Sequence, residues 1–244
     1  MADLSTTFVG LNSLNPFWLA SAPPTNCQSQ VMRAFEAGWA GAVWKTLGKP
    51  IENVSSRLWG LNLGKEKLMG LNNIELITDR PIEQNLKEMA EVKKRFPKHI
   101  LVASLMVETR EEWKTIIHQV QDAGSDAIEL NFGCPHGMCE RGMGAAVGQE
   151  PKVIEIILSW VKEFARVPII VKLTPNISDI TVPAASALKA GGDAVSLINT
   201  IKSITAVDID HFVPHPKVAS LSTHGGYCGP AVKPIALNMV ASVA

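Results

Sequence analysis

Ala123-Gly-Ser-Asp-Ala-Ile-Glu-Leu-Asn131 closes a helical pattern with a glycine and then runs straight into a short apolar stretch. The same figure stands at Ala37–Gly38 before Ala42–Val43 and at Ala190–Gly191 before Ala194–Val195. A glycine in this place suits the left-handed residue that ends a helix, so each copy reads as a helix-to-strand junction. The intervals between copies each hold about two strand–helix units, which predicts a βα array. Working outward, six short apolar runs read as parallel strands covered on both faces: Pro16–Ala20, Gly41–Trp44, Ile100–Leu105, Asp126–Leu130, Pro168–Leu173 and Asp193–Ile198. Helical patterns lie between most of them. Pro81 to Arg95 is amphipathic, Thr109 with Glu112 forms a capping box, and Pro151 suits the first turn of a helix running to Ala165. The alternation predicts an α/β fold with a parallel sheet, a barrel of the TIM (β/α)8 type, in a single domain over 1–244.

The composition narrows the function classes. The 244 residues carry 23 basic and 23 acidic side chains, a formal net charge of +0. That balance argues against a broad basic face for nucleic acid or membrane. With 46% hydrophobic residues the chain has material for a large core, which argues against disorder. Four cysteines at irregular spacing do not make a disulfide scaffold, and no ligand-spaced pairs follow that would hold zinc. Met1–Ser5 has neither the basic nor the apolar part of a secretory signal, and no apolar run reaches the ~20 residues of a membrane helix. The expectation is a cytoplasmic, soluble protein without a metal site.

In a βα barrel the chemistry sits at the C-terminal ends of the strands. Here the first strand is followed by Ser21–Ala22–Pro23, the second ends in Lys45–Thr46, and the fourth leads into Asn131-Phe-Gly-Cys-Pro-His-Gly137. The fifth ends in Lys172-Leu-Thr-Pro-Asn176 and the sixth in Asn199–Thr200. Polar groups directly after apolar strands are costly to bury without partners, so their convergence on one rim predicts an active site. Lys45 and Lys172 suit the stabilisation of an anionic reduced flavin; each alone also reads as a lysine snorkelling to the rim. Lys172 stands equally where a Schiff-base lysine of a barrel lyase would stand.

Cys134 lies in a loop rich in glycine and proline, where a thiol can act as acid or nucleophile; its bland reading is a small buried apolar residue. Cys139 follows it, whereas Cys27 and Cys228 read as structural. Asn73, Asn131 and Asn199 each carry a donor and an acceptor, which suits a small ring of alternating N–H and C=O groups such as uracil; singly, each also reads as a turn or cap residue. Gly225–Gly226 and Gly229 read as a loop whose backbone approaches a cofactor. His118 reads as a surface or satisfied histidine, and for His136 an ordering of the Cys134 loop is the lesser reading.

The stretch Asn131-Phe-Gly-Cys-Pro-His-Gly-Met-Cys-Glu-Arg-Gly-Met-Gly144 resembles the active-site loop of dihydropyrimidine dehydrogenases. Asn15–Pro16, Phe35-Glu-Ala-Gly-Trp39, Asn73-Ile-Glu-Leu76, Lys172-Leu-Thr-Pro-Asn176, Asn199–Thr200 and Thr223-His-Gly-Gly-Tyr-Cys-Gly-Pro230 agree in order. The likeness covers essentially the whole chain. It is closest to the catalytic subunits of the bacterial NAD-dependent enzymes, with dihydroorotate dehydrogenases as wider kin.

The resemblance implies FMN on the strand-end rim, held by Ser21, Lys45, Thr46, Lys172, Gly226 and Gly229. It implies a pyrimidine held by Asn73, Asn131, Asn199 and Thr200 with the backbone of Phe132 and Gly133, and Cys134 as the general acid. The reaction implied is reduction of the ring double bond of uracil or thymine. The electrons would come from NADH through a partner subunit carrying flavin and iron–sulfur clusters, in a heterotetramer. The acidity that some relatives bring to the site is absent from the expected set. The family's barrel has two further strands after the helix near Pro234, with the loops that bind the FMN phosphate, and then a ferredoxin-like segment with iron–sulfur clusters. The cysteine runs of that segment are not present. The chain is therefore expected to hold about six of eight βα units and, alone, to bind FMN poorly and to be inactive. The alternatives are a dihydroorotate dehydrogenase, a lyase using Lys172, and an inactive fragment.

Overall fold

The computed structural model describes residues 2–52, 58–63, 66–135, 142–218 and 220–244. Six parallel strands form one sheet: Trp18–Leu19, Gly41–Leu47, Ile100–Leu105, Ala127–Phe132, Ile169–Leu173 and Ala194–Ser196. Each of the six expected runs overlaps one of them, with Gly41–Leu47 and Ala127–Phe132 extending past the expected ends at Trp44 and Leu130. Their order across the sheet is their order in the chain, and every adjacent pair is parallel. This is the wall of a βα barrel, curved but open, with Trp18–Leu19 and Ala194–Ser196 at its edges.

The junction glycines do what the repeat predicts. Gly38, Gly124 and Gly191 have φ of 100°, 89° and 100°, in the left-handed region where a side chain is strained. The helices between the strands are Gln28–Glu36, Ile82–Arg95, Arg110–Asp122, Pro151–Phe164 and Thr181–Lys189. The Thr109 hydroxyl accepts from the Glu112 N–H (3.2 Å), and the Glu112 carboxylate accepts from the Thr109 N–H (2.9 Å), which completes the capping box. Pro151 opens its helix.

Alternation along the strands divides the core in two. Trp44, Leu101, Ala103, Leu105, Ile128, Leu130, Phe132, Val171 and Leu173 face the helices and join Met89, Trp113, Ile117, Ile154 and Leu158 in one buried cluster. The alternate positions Val43, Val102, Ala127 and Ile170 form a second cluster on the concave face. Continuing the same alternation toward the C-terminal ends brings Lys45, Ser104, Glu129, Asn131 and Lys172 onto that concave face, all buried. The pleat therefore gathers the polar groups that the sequence spreads over more than a hundred residues.

A four-stranded antiparallel sheet lies outside the sequence expectation. Its order is Ile201–Ser203, Gly225–Cys228, Glu66–Asn73 and Leu58–Leu63. Gly225 and Gly226 thus belong to a strand rather than the expected loop. A Cβ on Gly225 would overlap the Asn72 side chain and one on Gly226 the Thr200 hydroxyl, so glycine is what allows this strand to lie so close. Two small hairpins, Ala206–Asp208 with Val213–His215 and Lys217–Val218 with Leu221–Ser222, fill the segment before it. The helix expected near Pro234 spans Lys233–Val243. Among the described residues no helix is long and apolar enough to cross a membrane, and no group of three acidic, histidine or cysteine side chains is placed to hold a metal.

Candidate active site

One cavity at the C-terminal ends of the strands brings together Ser21, Lys45, Thr46, Asn73, Asn131, Cys134, Lys172, Asn199 and Thr200. Lys45, Thr46, Asn131 and Lys172 stand near the C-terminal ends of their strands, and Ser21, Cys134, Asn199 and Thr200 in the segments that follow strands. The antiparallel sheet contributes Asn73 at the end of Glu66–Asn73 and, just beyond it, Glu75, Leu76 and Ile77. A larger cavity, about 590 Å³, opens lower on the concave face beside Trp18, Val43, Ile170 and Val240. Its lining is mainly apolar and holds none of the expected site residues.

Four expected residues stand apart from the lining. The Phe132 ring turns outward into the main core. Gly133 lies directly under Asn199, whose side chain a Cβ there would strike at 2.5 Å, and its N–H donates to Asn131 (3.2 Å). Gly226 pairs with Asn73 in the antiparallel sheet and packs against Thr200, so it supports two site residues without facing the cavity. Gly229, at φ 99°, precedes the short turn Pro230–Val232. His136, Gly137 and Cys139 lie outside the described residues. Cys27 and Cys228 are half-buried away from the cavity, the Cys228 thiol donating to the Leu71 carbonyl (3.4 Å). Burial pushes the Cys228 thiol up from its ordinary value. His118 is exposed on its helix, with its ring edge-on to Phe164.

Hydrogen bonds tie the strand ends into one network. Asn131 Nδ2 donates to Thr46 Oγ1 (3.0 Å) and Asn199 Nδ2 donates to Asn131 Oδ1 (3.1 Å). Thr46 Oγ1 lies 3.1 Å from Ser21 Oγ and 3.0 Å from Ser104 Oγ. Lys45 Nζ is 3.2 Å from Glu75 Oε2, and both side chains are buried. This carboxylate corrects the expectation that the site lacks acidity. The residue was visible in Asn73-Ile-Glu-Leu76, but its pairing with Lys45 depends on the antiparallel sheet. Lys172, also buried, makes no ion pair among the described residues, so its ammonium is available to an anionic ligand group.

Cys134 is buried beside Ile77, Met106 and Met143 and forms no disulfide. Gly144, at φ 59°, passes over it: a Cβ there would lie 2.7 Å from the Cys134 carbonyl oxygen and 3.1 Å from its Cβ. Gly144→Ala is therefore expected to displace the thiol and lower turnover by about tenfold or more, since small misplacements of reacting groups carry large rate effects. Steady-state kinetics with circular dichroism as a folding control check this.

A profile of the dihydroorotate dehydrogenase family matches residues 3–244. The chain is 43% identical to the chloroplastic dihydropyrimidine dehydrogenase (NADP(+)) of Arabidopsis thaliana, over 99% of its own length and 59% of the relative's. It is 41% identical to the NAD-dependent dihydropyrimidine dehydrogenase subunit PreA of Escherichia coli K12, over 98% of its length and 58% of the relative's. It is 36% identical to the catalytic subunit of dihydroorotate dehydrogenase B (NAD(+)) of Thermococcus kodakarensis, over its whole length and 76% of the relative's. The chain thus spans about three-fifths of the length of the two dihydropyrimidine dehydrogenases. With a parallel barrel wall, polar groups gathered at its C-terminal rim and a match from residue 3 to residue 244, the chain belongs to the dihydroorotate dehydrogenase family.

Proposed function

We propose that this chain is the FMN-bearing catalytic part of an oxidoreductase that reduces the ring double bond of uracil and thymine. The observation that carries the reading is the convergence of three amides, two lysines and the Cys134 thiol on one strand-end cavity. The greater identity to two dihydropyrimidine dehydrogenases than to the Thermococcus dihydroorotate enzyme supports it. The donor set fits a flavin: Lys172 is a buried cation with no ion pair among the described residues, and Lys45, Ser21 and Thr46 stand beside it. Lys45, Lys172, Ser21 and Thr46 would hold FMN, which when bound supplies a hydride for one carbon of the ring double bond.

The chain's own residues supply the rest. Asn73, Asn131, Asn199 and Thr200 orient the ring. The Cys134 S–H bond breaks as its proton passes to the neighbouring carbon, leaving a thiolate that solvent reprotonates. Lys172 favours negative charge developing beside it. Burial of the thiol and the lysines keeps water from the reacting groups.

Dihydroorotate dehydrogenase is the second reading, since a relative carries that name. The charges of the cavity do not separate the two readings, since Glu75 is paired with Lys45 and Lys172 is a further cation, and the greater identity to the two dihydropyrimidine dehydrogenases favours the first. NADH as electron source, delivered by a flavin and iron–sulfur partner subunit in a heterotetramer, goes with this proposal, as does a cytoplasmic setting. The name of the Escherichia coli relative, a subunit, supports the existence of a partner. The test offers uracil, thymine and orotate to the reduced native holoenzyme. Dihydrouracil and dihydrothymine are expected. Turnover of orotate alone supports the second reading, and a borohydride-trapped adduct on Lys172 would put the chain among the lyases.

A further inference from the structure

Each of the three site amides has its oxygen occupied by a backbone N–H. Asn73 Oδ1 accepts from the Glu75 N–H (2.7 Å), Asn131 Oδ1 from the Gly133 N–H (3.2 Å), and Asn199 Oδ1 from the Thr200 N–H (2.8 Å). A backbone N–H can only donate, so each fixes which end of its amide is oxygen. Asn131 Oδ1 accepts a second bond, from Asn199 Nδ2. With both lone pairs of its oxygen filled, Asn131 keeps only an N–H for a ligand, whereas Asn73 and Asn199 each keep N–H hydrogen and one lone pair. Asn131 and Asn199 each have one such hydrogen left, because Asn131 Nδ2 already donates to Thr46 and Asn199 Nδ2 to Asn131. A ligand group read by Asn131 is an acceptor, as a ring oxo group is and a ring amino group is not.

The second Asn131 anchor is the Thr46 hydroxyl, 3.0 Å from Asn131 Nδ2. It is buried and coordinated on every side. It accepts from Asn131, and the hydroxyls of Ser21 and Ser104 stand at 3.1 Å and 3.0 Å, where one donates to it and the other accepts from it. The Thr46 N–H donates to Ser21 Oγ (3.0 Å), which fixes that serine as well. Four adjacent strand ends thus meet at one oxygen, and Asn199 joins them through Asn131.

We propose that Thr46 is a positioning residue: its hydroxyl holds Asn131, whose oxygen is filled by the Gly133 N–H and Asn199, so that this amide turns an N–H toward the ligand and selects a ring oxygen over a ring amino group. This rests on the pyrimidine reading of the site, and it gives the Thr46 side chain a task distinct from holding the cofactor. Valine matches threonine in shape and removes the hydroxyl, while serine keeps it.

The experiment uses the native holoenzyme with Thr46→Val and Thr46→Ser, and measures the KM and kcat for uracil and the inhibition constant of cytosine. The wild type is expected to prefer uracil. Thr46→Val is expected to raise the KM for uracil about tenfold with a smaller change in kcat, and to narrow the uracil-to-cytosine preference by a similar factor, as loss of one buried hydrogen bond would. Thr46→Ser keeps the hydroxyl and is expected to recover the larger part of the KM and of the preference lost in Thr46→Val, with flavin content measured in both variants. An unchanged KM and preference in Thr46→Val overturns the proposal, as does a Thr46→Ser variant impaired as strongly as Thr46→Val. Should Thr46→Val fail to fold, Ser104→Ala removes one partner of the same hydroxyl; a smaller change in the same direction supports the proposal and none overturns it. A wild-type enzyme that neither binds nor reduces uracil sinks the functional reading instead, and so separates the two failures.

Discussion

Cys134→Ala is expected to lower turnover of uracil in the holoenzyme by about a hundredfold or more, the usual worth of a positioned general acid. Flavin content and uracil affinity are expected to stay within about twofold, since the Asn131 amide proposed to orient the ring is held by groups other than the thiol. The Asn131 amide is held by the Gly133 N–H, Thr46 and Asn199, none of which involves the sulfur. The Cys134 carbonyl, which accepts the Ala145 N–H (3.0 Å), is unaffected by the substitution. Alanine leaves only a small gap beside Ile77, Met106 and Met143. Turnover and flavin absorbance together read the result. Loss of flavin in step with activity assigns Cys134 a packing role, and unchanged turnover places the proton donor elsewhere.

The second large effect concerns stability. Glu75→Ala removes the carboxylate that stands 3.2 Å from the Lys45 ammonium, in a site where the lysine is only 5% exposed. Removing one partner of a buried ion pair costs about 3–5 kcal/mol, because the remaining charge stays desolvated. In a chain of this length that corresponds to a fall in Tm on the order of 10 °C. Glu75→Gln keeps the shape and an acceptor oxygen, so a smaller loss is expected. Replacing both partners, Lys45→Met with Glu75→Leu, is expected to recover most of the stability, since well-packed apolar groups often match a buried pair. Thermal unfolding of the three variants reads the outcome. A Tm for Glu75→Ala within about 2 °C of wild type, less than the shift for one kcal/mol, removes the pair from the stabilising set.

Much of the barrel wall was legible because its signals are local. Gly38, Gly124 and Gly191 mark helix ends through their backbone alone, and each strand is an apolar run long enough to read by itself. Most of the rim residues followed from one rule, that polar groups at the C-terminal end of an apolar strand face the site, while Asn73 arrives from the antiparallel sheet. The antiparallel sheet was not legible because its pairings, Asn73 with Gly226 and Ile201 with Tyr227, join distant segments. The glycines at 225 and 226 also weaken the strand signal while serving close packing. The same long-range pairing hid the partnership of Glu75 with Lys45. Phe132 was assigned through its backbone, and its ring obeys the alternation by facing the core. The amide polarities were beyond sequence reading, because they depend on which N–H groups the folded backbone brings to each oxygen.

The most direct test of the account is a single turnover without air, in which the native holoenzyme is chemically reduced and mixed with one equivalent of uracil. The account predicts reoxidation of the flavin in step with formation of one equivalent of dihydrouracil. A flavin that stays reduced with uracil yet reoxidises with orotate would contradict it.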